Sequence, residues 1–248
     1  DPKTAKDFDD AVCLIEEKGK RTLWVAIADV AHYIEPETLL DEEAKARATS
    51  VYLPHAVLPM LPSRLSDNLC SLRAKVPRLA MTVSMEIEND CTIGNVAAFE
   101  SIIEVQENLS YEDALDNPKF QNMMDLAEEL RRNEIRLNLN SAELRPRVHK
   151  DEITVNVKWP NKATEMIETF MVATNNSIGI LLGEKNAPLP WRCHAPPDAP
   201  EVEELNAKFK NMGINIELPM PSVKKFGQSE EAELASMLGD WAHSGNIE

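Results

Sequence analysis

The sequence lacks any apolar run long enough to cross a membrane. It also lacks the positively charged start, followed by a short apolar segment, that is typical of a secretory signal. These absences argue against a membrane-spanning protein, and we expect no membrane partner. At 248 residues, of which 43% are hydrophobic, the chain is long enough for one large or two small domains with a sizeable core.

Cysteine is scarce and scattered along the chain. The four cysteines, Cys13, Cys70, Cys91 and Cys193, form no CxxC pair. This spacing argues against a structural zinc site and against a disulfide framework. We expect reduced, mostly buried thiols in an intracellular, cytoplasmic protein.

Positive charge is also in short supply. The chain has 26 Lys and Arg against 42 Asp and Glu, which gives a formal net charge of −16. Nucleic acids are bound through basic groups that meet phosphates, so composition alone argues against such a partner. One small basic group contains Arg73 and Arg78, which are candidates for holding phosphates, with a solvated surface patch as the alternative.

Carboxylates are concentrated at the start of the chain, where Asp1, Asp7, Asp9 and Asp10 form what we call the acidic cluster. Like charges this close repel, and a folded protein keeps them together when a cation lies among them. Hard oxygen ligands suit Mg²⁺ or Mn²⁺, and such ions position a phosphate for hydrolysis. The alternative is an acidic loop in solvent.

Strands and helices are predicted along most of the chain. Apolar residues at 11–15 and 22–30, with a turn at Gly19-Lys20, are typical of a β-hairpin, which places the carboxylates at the mouth of a sheet. Further strands are predicted at 79–87, 93–105 and 152–157. Helices are predicted at 39–48, 63–72, 120–139, 163–182 and 201–212, with a short helix opened by Ser110.

Five motifs in order give the chain a resemblance to a known family. They are DPKTAKDFDDAV (1–12), VAIADVAHYI (25–34), LDEEAKARATSVYLP (40–54), VLPMLPSRLSDNLCSL (57–72) and MIETFMVATN (166–175). Together they resemble the RNB domain, the catalytic domain of the ribonuclease II and ribonuclease R family. Members of that family degrade RNA from its 3′ end.

The resemblance implies an α+β fold in which a mixed or antiparallel sheet is flanked by helices around an RNA channel. We expect residues 1–248 to be a single RNB catalytic domain that is truncated at both ends, because the chain begins without Met and inside the acidic cluster and stops before a motif that the family carries. The family carries OB- or S1-like RNA-binding domains beside this domain. We therefore expect them in the parent protein, where they would supply the missing positive charge, and we predict a monomer.

The resemblance also implies the site residues. The four aspartates of the acidic cluster would bind Mg²⁺ or Mn²⁺ and orient the attacking water. Tyr52 and Glu168 would place the 3′-terminal nucleotide of single-stranded RNA, and an aromatic ring stacks on a base whatever its identity. On spacing alone, Tyr52 is a half-buried loop aromatic and Glu168 is a surface residue of a helix.

Two departures from the family pattern bear on activity. Leu139 falls where the family has an aromatic residue that stacks on bases, and leucine has no π face. The chain also stops at Glu248 before the arginine-containing motif that helps family members hold the scissile phosphate. The sequence therefore leaves open whether this chain alone is active.

The leading prediction is a metal-dependent, hydrolytic 3′→5′ exoribonuclease that degrades single-stranded RNA to nucleoside 5′-monophosphates. The first alternative is a catalytically impaired RNB-like protein that binds RNA or regulates, which Leu139 and the missing arginine motif favour. A DxD-type phosphatase is a minor alternative. Residues 7–12 fit its motif superficially, but no buried hydrophobic strand precedes Asp7.

Overall fold

The computed structural model describes residues 5–133, 141–149, 152–191 and 197–220. The chain divides into two compact units. The first draws on Asp1–Arg131 and Ala142–Pro188, and the second on Arg132–Ser141 and Leu189–Glu248. The predicted α+β class is confirmed, because the described residues form helices and antiparallel sheets. The single domain over 1–248 stays a prediction.

The strands are β1 (Asp10–Glu17), β2 (Lys20–Ala28), β3 (Val51–Tyr52), β4 (Val57–Leu58), β5 (Pro77–Ile87), β6 (Ile93–Glu104), β7 (Glu143–His149) and β8 (Glu152–Lys158). The α-helices are α1 (Leu39–Arg47), α2 (Tyr111–Leu115), α3 (Gln121–Arg132), α4 (Lys162–Glu184) and α5 (Ala199–Asn211). A π-helical turn spans Leu65–Leu69 and a 3₁₀ turn spans Pro118–Phe120. Within the described ranges, no helix is both long and apolar enough to span a membrane.

The main sheet has the strand order β1-β2-β5-β6, and all its neighbouring strands are antiparallel. Lys18 and Gly19 join β1 to β2, with φ angles of 51° and 78°. Two consecutive residues with positive φ match the twist of a hairpin, and glycine adopts this conformation without steric cost. The turn is therefore centred one residue earlier than the predicted Gly19-Lys20.

The first hydrophobic core lies on one face of this sheet. Side chains alternate between the two faces of a strand, and Leu23, Val25 and Met85 all point to this face and are completely buried. Leu126 of α3 and Phe170 of α4 pack against them. The amphipathic patterns at 120–139 and 163–182 therefore predict core helices correctly, although α3 ends at Arg132 and residues 134–140 lie outside the described ranges.

The second core lies on the opposite face, near the end of the sheet where β1 begins. Ala26 and Ala80 are buried there, and their small side chains allow the segment after the π-helical turn to approach closely. Cys70 and Leu72 of that segment are buried against them, together with the partly buried Phe8. This core thus joins the segment around residue 71 to the start of the chain.

The helix predicted at 63–72 extends too far. The π-helical turn ends at Leu69, and the backbone then leaves the helix. The Leu72 N–H donates to the Phe8 carbonyl oxygen at 2.8 Å instead of continuing a helical hydrogen-bond pattern. Leu72 is completely buried, so tertiary packing overrides the helical spacing of the leucines.

The hairpin of β7 and β8 is predicted only in part. The strand at 152–157 is confirmed as β8, whereas β7 contains Pro146 and is not expected from the sequence. Proline cannot donate a backbone hydrogen bond, so it is confined to sheet edges. β7 and β8 form a two-stranded sheet of their own, and each is therefore an edge that tolerates proline.

The start of α4 is fixed by Asn161. Its side-chain oxygen accepts hydrogen bonds from the N–H groups of Ala163 and Thr164, at 3.0 and 2.9 Å. The Thr164 hydroxyl oxygen accepts in return from the Asn161 N–H at 2.8 Å. This reciprocal arrangement satisfies amides that no helical carbonyl can reach.

Replacing Asn161 by alanine is expected to lower the free energy of unfolding by about 1 kcal/mol, because two amides at the start of α4 lose their acceptor. Urea unfolding followed by circular dichroism measures the loss. Asn122→Ala is the matched control, since the Asn122 amide makes only an exposed hydrogen bond to Glu16. Equal losses in the two variants would show that the cap does not stabilise the fold.

The second unit is built on α5. Asp198 and Glu201 form a reciprocal cap at its start, with two hydrogen bonds of 3.0 Å. The Asn206 side chain binds both backbone groups of Leu218, at 2.7 Å to the N–H and 3.0 Å to the carbonyl oxygen. The helix predicted at 201–212 is confirmed with slightly earlier bounds, and Gly213 follows it with a φ of 75°.

Candidate active site

Two members of the acidic cluster lie at one end of the main sheet. Asp10 is the first residue of β1 and pairs with Ile27 of β2. The Asp9 carbonyl oxygen accepts a hydrogen bond of 2.9 Å from the Ala28 N–H. The strand pairing therefore fixes the backbone that carries these two carboxylates. Asp1 lies outside the described residues.

A buried serine holds the backbone that precedes them. The Ser71 hydroxyl donates to the Lys6 carbonyl oxygen at 2.7 Å and accepts from the Phe8 N–H at 3.1 Å. Ser71 is completely buried, so water does not compete for these hydrogen bonds. Asp7 thus lies between two residues that are bound to the same side chain.

The carboxylates of the cluster act on one another. The pKa of Asp9 is raised above its ordinary value, first because protein atoms displace water from its carboxylate, and then because Asp7 and Asp10 add negative charge nearby. Burial likewise raises the pKa of Asp10. A raised pKa means that these surroundings disfavour the charged form, and a cation bound among the carboxylates would relieve this penalty.

The chemistry of the described donors fits Mg²⁺ or Mn²⁺. In the described ranges, no group of three or more His, Cys, Asp or Glu is arranged as a metal site. Mg²⁺ is commonly held by one or two carboxylates, with water and substrate phosphate oxygens completing its coordination. Asp7 and Asp10 each lie within electrostatic reach of the Asp9 carboxylate. The three carboxylates are therefore suited to a site that is completed by water and substrate.

Tyr52 lies near the acidic cluster despite its distance in sequence. The pKa of its hydroxyl is raised by loss of hydration and by the negative charges of Asp7 and Asp9. The residue is 69% exposed in β3, and Val57 and Leu58 of the paired strand β4 are exposed beside it. An exposed aromatic ring is able to stack on an unpaired base.

Comparison with known proteins identifies the family of this chain. The profile of the RNB domain family matches residues 1–241. This chain belongs to the RNB domain family. Ribonuclease R of Mycoplasmopsis pulmonis is 32% identical over 93% of this chain and 34% of its own length. Ribonuclease R of Escherichia coli is 30% identical over 97% of this chain and 32% of its own length.

A solved structure is also similar to this RNB domain. Mycoplasma genitalium RNase R in complex with ribose-methylated single-stranded RNA superposes with a TM-score of 0.87 and 26% sequence identity, over 97% of this chain and 40% of that chain. The fold expected from the RNB resemblance is thereby confirmed. The chain spans about a third of the length of the curated relatives it matches.

The two arginines predicted to hold phosphates differ in their surroundings. The Arg78 Nε donates to the carbonyl oxygens of Asn68 and Ser71, at 2.9 and 3.0 Å, and its Nη2 donates to the Asn68 side chain at 2.8 Å. Arg78 therefore stabilises the end of the π-helical turn. Arg73 is exposed, and its side chain has no hydrogen-bond or ion-pair partner among the described residues, which leaves it available to an external anion.

Glu168 lies on the exposed side of α4, whereas the adjacent Thr169 and Phe170 are buried. The predicted contact between Glu168 and a terminal nucleotide stays a prediction. Leu139, predicted to replace a stacking aromatic, lies outside the described residues.

Sequence reasoning missed two residues beside the cluster. Asp29 directly follows β2, and the pKa of the Cys70 thiol is raised by burial and then by the charges of Asp29 and Asp9, so both carboxylates lie near that thiol. Asp29 could have been found from its position at the end of β2, because the end of one strand of a hairpin lies beside the beginning of the other. Ser71 gave no such signal, since its contact with Phe8 joins positions 63 residues apart.

Proposed function

We propose that this RNB domain is the catalytic part of an exoribonuclease that uses Mg²⁺ or Mn²⁺ to hydrolyse single-stranded RNA from its 3′ end. The observation that carries the proposal is the exposed Tyr52, whose hydroxyl lies within electrostatic reach of Asp7 and Asp9. This arrangement offers a terminal base an aromatic surface and offers the next phosphate a group of carboxylates. Membership of the RNB family supports RNA processing as the chemistry.

Single-stranded RNA fits this surface for two reasons. Stacking on an aromatic ring requires an unpaired base, and it tolerates every base because each has a π face. The similar ribonuclease R of Mycoplasma genitalium is seen with ribose-methylated single-stranded RNA. The proposed enzyme therefore shortens RNA without reading its sequence.

The chemistry is hydrolysis of the terminal phosphodiester. Water attacks the phosphorus, and the bond to the 3′ oxygen of the preceding nucleotide breaks. The released nucleotide keeps its 5′ phosphate, and the shortened RNA keeps a 3′ hydroxyl. A metal held by Asp7, Asp9 and Asp10 would supply stabilisation of the charge on the phosphate and would favour ionisation of the attacking water.

The chain's own residues supply the binding and the orientation. Asp7, Asp9 and Asp10 would hold the metal, with Asp1 as the predicted fourth ligand. The pairing of β1 with β2 keeps the backbone of Asp9 and Asp10 in place. Tyr52 and Glu168 would place the terminal nucleotide, and Arg73 would meet a phosphate.

Longer-range binding of RNA requires positive charge that this chain lacks, since its formal net charge is −16. As the family resemblance implies, we propose that OB- or S1-like RNA-binding domains accompany the RNB domain in the complete protein and supply this charge. For the complete protein we propose a monomeric state and a location in the cytoplasm.

Two labels on the same RNA test the proposed reaction. With Mg²⁺, a 3′ label is expected to appear at once as a nucleoside 5′-monophosphate, whereas a 5′ label is expected to remain on a ladder of shortening strands. A chelator should stop both. Early release of the 5′ label, cyclic phosphate products or chelator-resistant cleavage would refute the proposal. Tight binding of RNA without cleavage would favour the impaired RNA-binding alternative.

Replacing Arg73 by alanine is expected to weaken RNA binding and to reduce the slope of log affinity against log salt concentration by about 0.7, the value for one phosphate of a single strand. Fluorescence anisotropy with chelator present measures this slope without cleavage. Arg78→Ala is the matched comparison, because its guanidinium already binds protein oxygens. That variant is expected to lose stability and keep the salt slope, and the reverse pattern would assign the phosphate contact to Arg78.

A further inference from the structure

We infer that Ser71 is a positioning residue of the acidic cluster, which it orients by fixing the backbone on both sides of Asp7. Its effect on catalysis rests on the proposed function. Its effect on the local structure does not, since the hydrogen bonds are made within the chain itself.

A single hydroxyl oxygen makes both contacts. It donates its hydrogen to the Lys6 carbonyl oxygen and accepts the Phe8 N–H. The two backbone groups therefore lie at a fixed separation, and the residue between them is Asp7. This constraint restricts the φ and ψ angles of Asp7 and hence the direction of its carboxylate.

A second contact makes it possible to isolate the role of the hydroxyl. The Leu72 N–H donates to the Phe8 carbonyl oxygen at 2.8 Å, and this backbone hydrogen bond survives any substitution at Ser71. Removing the hydroxyl therefore leaves Phe8 attached to the segment, while Lys6 and the Phe8 N–H lose their partner. Ser71 itself is completely buried, so the alanine variant brings no new polar group to this position.

The cluster needs such a constraint because its members repel one another. The charges of Asp7 and Asp10 both act on Asp9, so a freed Asp7 would move its carboxylate away from the others. Some groups orient a metal ligand without binding the metal themselves. Removing such a group typically lowers metal affinity or activity by about 10–100-fold. Ser71 acts in this way through the backbone, without touching substrate or metal.

The test compares Ser71→Ala and Ser71→Cys with the unaltered purified protein. Thr82→Val is the matched control, because Thr82 is also buried and its hydroxyl pairs with Ser101 of the neighbouring strand, not with the backbone around Asp7. Ser71→Ala is expected to weaken Mn²⁺ binding by about 10–100-fold. Electron paramagnetic resonance measures this binding. Its kcat is expected to fall in the same range, while its KM for RNA stays unchanged. Ser71→Cys, a weaker hydrogen-bond partner of similar volume, is expected to lie between.

Hydrogen exchange of the metal-free protein gives a readout that is independent of activity. In Ser71→Ala the Phe8 amide is expected to exchange faster, whereas the Ala28 amide, which donates to Asp9, keeps its rate. Thr82→Val should change neither. Unaltered Mn²⁺ affinity and Phe8 exchange in a folded Ser71→Ala, or in Ser71→Cys if the alanine variant does not fold, would overturn the inference.

The two proposals fail in different ways. If the unaltered protein releases no 5′-monophosphates, the proposed function fails, while Mn²⁺ affinity and Phe8 exchange still decide the role of Ser71. If the protein cleaves RNA and Ser71→Ala behaves as Thr82→Val does, only the role of Ser71 fails.

Discussion

Replacing Asp9 by asparagine is expected to lower kcat for RNA hydrolysis by about 10³-fold, which corresponds to ~4 kcal/mol of lost transition-state stabilisation. Asp9 is the member of the cluster on which both Asp7 and Asp10 act. The substitution keeps the shape of the side chain and removes its charge. Single-turnover release of 5′-monophosphates at saturating Mg²⁺ measures the effect.

The control for Asp9 is Asp116→Asn, which makes the same chemical change at an exposed residue following α2. It is expected to keep full activity. In the metal-free protein, Asp9→Asn is also expected to keep or raise the melting temperature, because it removes a charge that its surroundings disfavour. A kcat within tenfold of the unaltered enzyme, in a folded Asp9→Asn protein, would remove Asp9 from the catalytic group.

Replacing Tyr52 by alanine is expected to weaken binding of the RNA end by about 5–150-fold, since stacking contributes ~1–3 kcal/mol per base. The exposed ring has little part in the core, so stability should change little. The loss is measured first as equilibrium binding of a short single-stranded RNA with chelator present, which prevents cleavage. It is then measured as KM with Mg²⁺ present. The effect should be similar for RNAs that end in any of the four bases.

Two further substitutions at Tyr52 separate the ring from its hydroxyl. Tyr52→Phe keeps the π face and is expected to bind nearly as well as the unaltered protein. Tyr52→Leu keeps apolar surface without a π face and is expected to resemble the alanine variant. Loss of binding in Tyr52→Phe, or none in Tyr52→Ala, would show that the ring does not hold the terminal base.

Local patterns predicted much of what surrounds the site. The hairpin of β1 and β2 follows from the apolar stretches on either side of the predicted turn at Gly19-Lys20, and the start of β1 places Asp9 and Asp10 at the sheet mouth. The core helices α3 and α4 follow from their apolar periodicity. These features are predictable because the interactions that form them are close in sequence.

The rest of the fold could not be predicted, because it depends on contacts between residues that are far apart in sequence. The π-helical turn ends early because Leu72 binds Phe8, and the role of Ser71 depends on the same distant partner. The composition of β7 does not predict a strand, because Pro146 is compatible only with a strand at the edge of a sheet. Tyr52 illustrates a different limit, since only the family resemblance, and not spacing, pointed to a role for this residue in placing the RNA end.

Anomalous scattering from Mn²⁺ in crystals of the protein with single-stranded RNA is the most direct test of the account. A peak about 2.0–2.2 Å from carboxylate oxygens of Asp7, Asp9 or Asp10, next to the terminal phosphodiester, is the predicted result. No peak at these carboxylates under conditions that support cleavage, or a peak bound only by other residues, would contradict the central claim.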